Sequence, residues 1–151
     1  MDSINEFFIS YGYLGMGIAS FLAGTFFPFS SEAVMAALLV ASRMDPVLTV
    51  ASGTIGNVAG SMVNYWIGSC ARPETISKWF RIKPKRLETA QRYVSRYGSW
   101  MGFFAFIPIL GTAISIALGI LRANIWGTLL STFLGKCLRY IVVAYSVLAL
   151  V

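Results

Sequence analysis

Residues 7–27 carry no charged side chain, the chain then meets Pro28, and four residues later it places an ionisable Glu32 ahead of a second apolar run, 33–42. This arrangement constrains the fold more than any other feature. An uncharged stretch of about 20 residues is long enough to cross the hydrocarbon core of a bilayer. A carboxylate at that depth costs about 2.5–3.5 kcal/mol on insertion scales and is kept only where it faces protein, water or a partner. Proline removes a backbone donor, and broken backbone at membrane depth survives only where protein or water satisfies it. The stretch around Pro28 and Glu32 is therefore read as one wall of an internal polar site.

Composition points the same way. Charged residues make up 12% of the chain and hydrophobic residues 57%. A soluble domain carries about 25% charged residues, so an ordinary soluble fold is excluded. At 151 residues the chain is expected to form a single membrane domain. Asp2 and Glu6 make the N-terminus acidic, so no cleavable signal is expected. The chain has no histidine, and Cys70 and Cys137 stand apart from any partner at metal-ligand spacing. Zinc binding and Cys-His or Ser-His catalysis lose their usual parts. No metal, cofactor or enzymatic role is expected, and the two cysteines are expected as small core residues.

The basic excess is local. Arg72, Lys78, Arg81, Lys83, Lys85, Arg86, Arg92 and Arg96 face only Glu74 and Glu88 in the same stretch, which accounts for the formal net charge of +6. Beside apolar segments, such a stretch reads as a cytoplasmic loop by the positive-inside bias. Lys83, Lys85, Arg86, Arg92 and Arg96 are expected to meet anionic lipid headgroups. Nucleic acid is rejected as a partner because membrane segments flank the loop. Within the stretch, Pro84 opens an amphipathic helix that Gly98 closes, with Leu87, Ala90, Tyr93, Val94 and Tyr97 at helical spacing. It is expected to lie in the membrane surface, and Trp79 and Phe80 at the interface.

Residues 47–71 and 125–151 are also long enough to span. The first is uncharged and holds Asn57, Asn64 and a Gly56-x3-Gly60 pattern that signals close helix contact and leaves a homo-oligomer open. The second holds Lys136 and Arg139, three apart on one helix face. Residues 99–121 are apolar but broken at Pro108 and Gly111. These pieces repeat. Phe26-Phe27-Pro28-Phe29 is matched by Phe106-Ile107-Pro108-Ile109, Arg43-Met44-Asp45 by Arg122-Ala123-Asn124, and Gly56-Asn57 by Gly135-Lys136, at shifts of 80 or 79. The chain is therefore read as repeat 1 at about 7–71, a basic linker with the surface helix at 72–98, and repeat 2 at about 99–151. Paired broken segments in corresponding positions point to a substrate site near the midplane. The fold expected is an all-α polytopic membrane protein, an inverted repeat with two re-entrant broken helices plus spanning helices. Glu32, Asn57, Asn64, Thr112, Lys136 and Arg139 are expected to converge on one cavity, with Pro28, Pro108 and Gly111 as the structural breaks.

The strings Phe-Pro-x-Ser-Ser-Glu at 27–32, Gly56-Asn57-x2-Gly60, Asn64-Tyr65-x2-Gly68, Arg96-Tyr97-Gly98 and Gly135-Lys136-x2-Arg139-Tyr140 resemble the DedA (VTT-domain, SNARE-associated) superfamily, its small YqaA-like branch in particular. The resemblance covers roughly residues 20–145. It implies a bacterial inner-membrane protein with two re-entrant hairpins that moves undecaprenyl phosphate or phospholipid, coupled in some members to a proton gradient. One departure stands out. Typical members carry arginines around the second hairpin's proline, whereas residues 104–111 here have none, and Thr112 stands where the branch often has an aspartate.

Each candidate residue carries a role to test. Glu32 is assigned to titration or to a headgroup, against a structural role as partner of Lys136 or Arg139. Lys136 and Arg139 are assigned to a lipid phosphate, Arg by its bidentate fork, against snorkelling to the interface. Asn57 and Asn64 also suit polar glue between helices, Thr112 a bond to freed backbone, and Tyr65 and Tyr140 interface anchors. The function expected is lipid transport by a flippase or scramblase. The alternatives are a non-transporting membrane scaffold or assembly protein and a small-solute proton-coupled transporter. A lipid-phosphate enzyme lacks the histidine, acidic pair and phosphatase motif it would need.

Overall fold

A computed structural model describes residues 2–25, 30–41, 44–70, 72–80, 83–107 and 110–150, with the backbone alone for 2–10, 41, 73, 77, 79 and 80. Pro28, Pro108 and the side chains of Trp79 and Phe80 lie outside the described residues. Among the described residues the fold is all-helical. Seven α-helices run α1 Asp2–Gly24, α2 Ser31–Ala41, α3 Pro46–Cys70, α4 Pro73–Phe80, α5 Pro84–Tyr97, α6 Leu110–Ile120 and α7 Ile125–Leu150, with a 3₁₀ segment Gly98–Phe106 before α6.

Local chemistry sets these boundaries. Ser30 caps α2 by accepting from the Ala33 amide at 3.3 Å, and Glu32 places its charge in the first turn, where the helix dipole favours it. Asp45 accepts from the amides of Val47 and Leu48 at 2.8 and 3.2 Å and caps α3, with Pro46 as first helical residue. Asn124 does the same for α7, accepting from Trp126 and Gly127 at 2.9 and 3.1 Å. Gly98, at φ 70°, ends α5 and donates its amide to Val94. The linker holds more structure than a loop. Pro73 starts α4, Glu74 and Lys78 suit its two ends, and the buried Ile76 anchors it against Leu87 and Ile116.

The packing is the reverse of a soluble protein's. The buried residues of α3 are Thr49, Gly53, Thr54, Gly56, Asn57, Val58, Gly60, Ser61, Asn64 and Gly68, while Val47, Leu48, Ile55 and Trp66 are exposed. Small residues inside let helices approach closely, and large apolar ones outside suit lipid. Gly56 and Gly60 do this directly: a Cβ on either would collide with the backbone of α1, at Gly17 and at Phe21 and Gly24. The close contact read from Gly56-x3-Gly60 is thus with α1 of the same chain. α7 likewise exposes Leu130, Phe133, Leu134, Leu138, Ile141 and Val142. Such an apolar expanse is incompatible with water on that face. Among the described residues α7 is the one helix long and apolar enough to read as a span by itself. α3 has the length, but its inward Gly, Ser, Thr and Asn dilute the signal.

α3 is the hub, packing on α1, α6 and α7, while α7 also packs on α2 and the 3₁₀ segment. Two expectations change. The apolar stripe of α5 divides: Leu87, Ala90 and Val94 are buried against α6, while Tyr93 and Tyr97 stack outside with ring centroids 6.5 Å apart. The stripe reaches the protein first because α6 offers it Ala113, Ile114, Ile116, Ala117 and Leu118. The cysteines are not core residues: Cys70 is exposed at the end of α3 and Cys137 half-buried, both free.

The helix bounds repeat. α2 and α6 have 11 residues each, and both their ends differ by 79. α3 and α7 begin 79 residues apart, at Pro46 and Ile125. Their caps, Asp45 and Asn124, share the shift, as do the buried Thr49 and Thr128, each donating its amide to its cap's carbonyl at 3.0 and 2.9 Å.

Candidate functional site

The site forms where α7 meets α1, α2 and α3. Lys136, Arg139 and Tyr140 occupy positions i, i+3 and i+4 of α7 and share one face. Each meets a different element of the first half.

Arg139 pairs with Glu32 at the start of α2. Its other nitrogen, Nη1, donates to the carbonyl of Phe106 at 2.8 Å, at the end of the 3₁₀ segment. One guanidinium thus holds the segment leading to α6 and the first turn of α2 together. The pair is partly open, with about a quarter of each side chain exposed (27% and 24%). Ser30 Oγ donates to the second Glu32 oxygen at 3.4 Å.

Lys136 is deeper, 5% exposed. Its ammonium donates to Oδ1 of Asn57 on α3, and Asn57 Nδ2 in turn donates to the Ser20 carbonyl of α1 at 3.0 Å. Glu32 and Arg139 are near enough to act on Lys136 electrostatically. The carboxylate is committed to Arg139, so Lys136 is left against a neutral amide. Counted formally, with all three side chains ionised, Glu32, Lys136 and Arg139 set two cations against one carboxylate. A buried ammonium without a counter-ion is expensive, and an anion at this point would relieve it.

Tyr140 completes the face. It is 1% exposed, and its hydroxyl lies 2.7 Å from Ser31 Oγ and donates to Ser20 Oγ at 3.4 Å. Its hydroxyl ties α7 to α1 and α2, while its ring belongs to the apolar cluster of Met16, Met35, Leu39 and Ala144.

The remaining expected residues fall as follows. Asn64, fully buried, donates Nδ2 to the Gly24 carbonyl at the end of α1 at 2.9 Å, and its Oδ1 has no partner among the described residues. It glues α3 to α1, as Asn57 does. Thr112 is half-buried in α6, and its side chain makes no hydrogen bond among the described residues. Ser115 donates to the Gly111 carbonyl at 3.0 Å, a back-bond within α6. Gly111 is buried, and a Cβ on it would strike Ala105. Tyr65 donates to the Ala123 carbonyl at 2.5 Å and braces the turn before α7.

The VTT domain model matches residues 27–148, which hold Glu32, Asn57 and the whole α7 face. The chain belongs to the VTT-domain (DedA) family. It is 31% identical to "Inner membrane protein YqaA" of Escherichia coli K12 over 127 residues, 83% of this chain and 84% of that one. It is 35% identical to "Uncharacterized membrane protein YkoX" of Bacillus subtilis over 135 residues, 85% of this chain and 60% of that one. It is 29% identical to "Undecaprenyl phosphate transporter A" of Staphylococcus aureus over 133 residues, 81% and 66% of the two chains. No solved structure matches. This DedA-family chain is accordingly a helical membrane protein, with membrane proteins for relatives.

Tyr140, expected as an interface anchor, instead lies buried in the site, where Ser20 and Ser31 join it. The signal for Tyr140 was available: it stands four residues after Lys136 and shares its face. Ser20 gave none, because its carbonyl and hydroxyl matter only once α1 lies against α3 and α7.

Proposed function

We propose that this chain carries lipids between the leaflets of the bacterial cytoplasmic membrane and selects those with an anionic, phosphate-bearing headgroup, a phospholipid or a polyprenyl phosphate. The observation that carries the reading is Lys136: a buried ammonium facing a neutral amide, in a cluster that formally sets two cations against one carboxylate. A phosphate matches that charge, and Arg139 adds a bidentate fork once released from Glu32. Protonating Glu32 would remove the charge holding Arg139, which offers a route to proton coupling. The transporter name borne by the Staphylococcus aureus relative agrees in class.

The architecture that would serve this is an inverted pair of repeats with re-entrant segments ending at α2 and α6, followed by the antiparallel α3 and α7. The common shift of 79 in helix bounds supports it. Alternating access would rock one repeat against the other around a fixed site. Lys83, Lys85, Arg86, Arg92 and Arg96 are all exposed on or beside α5. They would face the cytoplasm and gather anionic headgroups there.

The test is leaflet exchange by purified protein in vesicles containing a labelled anionic phospholipid. Wild type is expected to speed exchange of the anionic label over a zwitterionic one. Lys136→Ala should slow the anionic label by about tenfold, a loss of about 1.4 kcal/mol. Equal rates for Lys136→Ala and wild type would remove the proposal. A scaffold would instead show no exchange with wild type.

A further inference from the structure

Two positions related by a two-fold axis touch each other only if they lie beside that axis. Asn57 and Lys136 touch, and they are 79 residues apart. The same shift relates both ends of α2 to both ends of α6 and the start of α3 to the start of α7. α3 and α7 run antiparallel, as an axis lying in the membrane plane requires: Pro46 and Val47 share a groove with Tyr145 and Leu148, and Met62 shares one with Trp126. The axis therefore passes between the Asn57 amide and the Lys136 ammonium. The other charges stand off it. Shifted by 79, Glu32 falls on Gly111 and Arg139 on Gly60, so the ion pair has two glycines for its counterpart.

We infer that Lys136, positioned by Asn57, is the one anion-binding group that serves both sides of the membrane, whereas Glu32 and Arg139 serve one side alone. This rests on the proposed function and the repeat that goes with it. Rocking of the repeats about the axis leaves a group on it in place while moving the off-axis pair. A second consequence follows from symmetry. The ammonium need not come from α7: Lys at 57 with Asn at 136 puts the same charge and the same hydrogen bond at the same point, supplied by the other repeat.

The experiment compares Lys136→Asn, Asn57→Lys and the double exchange N57K/K136N, in vesicles with the anionic label introduced in the outer or the inner leaflet, alongside thermal melting in detergent. Lys136→Asn should lose about tenfold in both directions. Asn57→Lys forces two cations together in a buried place and should melt at least about 5 °C lower. The double exchange should regain the wild-type melting temperature to within about 3 °C and most of the exchange rate in both directions. A double variant that folds but stays at the Lys136→Asn rate, or melts no better than Asn57→Lys, overturns the inference. Should it not fold, Asn57→Asp decides: a carboxylate against the ammonium should abolish exchange in both directions in a folded protein, and exchange surviving in one direction would refute a shared group. If wild type moves no anionic lipid, the proposed function falls, and the melting comparison still tests the axis.

Discussion

The segment of the first half, α2 with α3, and that of the second, α6 with α7, share three helix bounds at a shift of 79, yet they bury different things. α6 is enclosed, with Gly111 and every residue from Ala113 to Gly119 buried, because α5 lays Leu87, Ala90 and Val94 over it. α2 has no such cover among the described residues: Ala33, Ala37 and Val40 are exposed, and its first turn holds the half-open Glu32. The polar residues divide in the same way. α3 carries neutral amides that hold the α1 backbone, and α7 carries the cations. Two helices of equal length thus end in different surroundings, α6 enclosed and α2 with a half-open carboxylate in its first turn.

The largest effect expected from breaking this comparison is at Gly119 and its counterpart Val40. Gly119 is buried, and a Cβ there would collide with the Tyr65 backbone. Val40, 79 residues earlier, is 52% exposed. Gly119→Val should destabilise by at least about 3 kcal/mol, since the obstacle is backbone and not a side chain that can rotate. Val40→Gly should cost about 0.4 kcal/mol, the difference in helix propensity between the two residues. Melting in detergent reads both, and equal costs would mean that α2 and α6 share one environment.

A smaller effect is expected at the ion pair. A double-mutant cycle over Glu32→Gln and Arg139→Gln should give a coupling of about 2 kcal/mol, between the values for exposed and for buried pairs, because a quarter of each side chain is open. The counterpart cycle, Gly111→Ala with Gly60→Ala, should show no coupling. Their Cβ atoms would meet different backbone, Ala105 in one case and Phe21 and Gly24 in the other. Additive costs at the ion pair would show that Glu32 and Arg139 do not hold α2 to α7.

How much of this was legible in the sequence follows from where each signal lives. The uncharged runs, the turn chemistry of Asp45-Pro46 and Arg122-Ala123-Asn124, and the shift between Gly56-Asn57 and Gly135-Lys136 are local, and they mark the helices and the common spacing of their starts. Glu32, Lys136 and Arg139 stood out because charge in an apolar run is costly. Counted from the prolines, a shift of 80 sets Thr112 opposite Glu32. At the helix shift of 79 the counterpart of Glu32 is Gly111, and Thr112 falls opposite Ala33. One residue fewer between the proline and the helix start in the second half is enough to misplace that position. The burial of the α5 stripe and of Tyr140 depends on long-range packing against α6 and α1, which spacing along one helix does not encode.

The smallest effect is the most exacting test of the shared plan. Asp45 and Asn124 cap α3 and α7 with the same two bonds at nearly the same lengths. Removing a cap costs about 1 kcal/mol, because backbone amides lose their acceptor. Asp45→Ala and Asn124→Ala should therefore destabilise by equal amounts, to within a few tenths of a kcal/mol once the charge of Asp45 at a helix N-terminus is allowed for. Asp45→Asn isolates that charge term and should bring the first cap to the value of the second. Asp45 also accepts nothing from the cations of the site, so neither substitution should slow lipid exchange beyond its effect on folding. An unequal cost that Asp45→Asn fails to level would mean that the two long helices start from different local structures, and the constant shift would lose its physical basis.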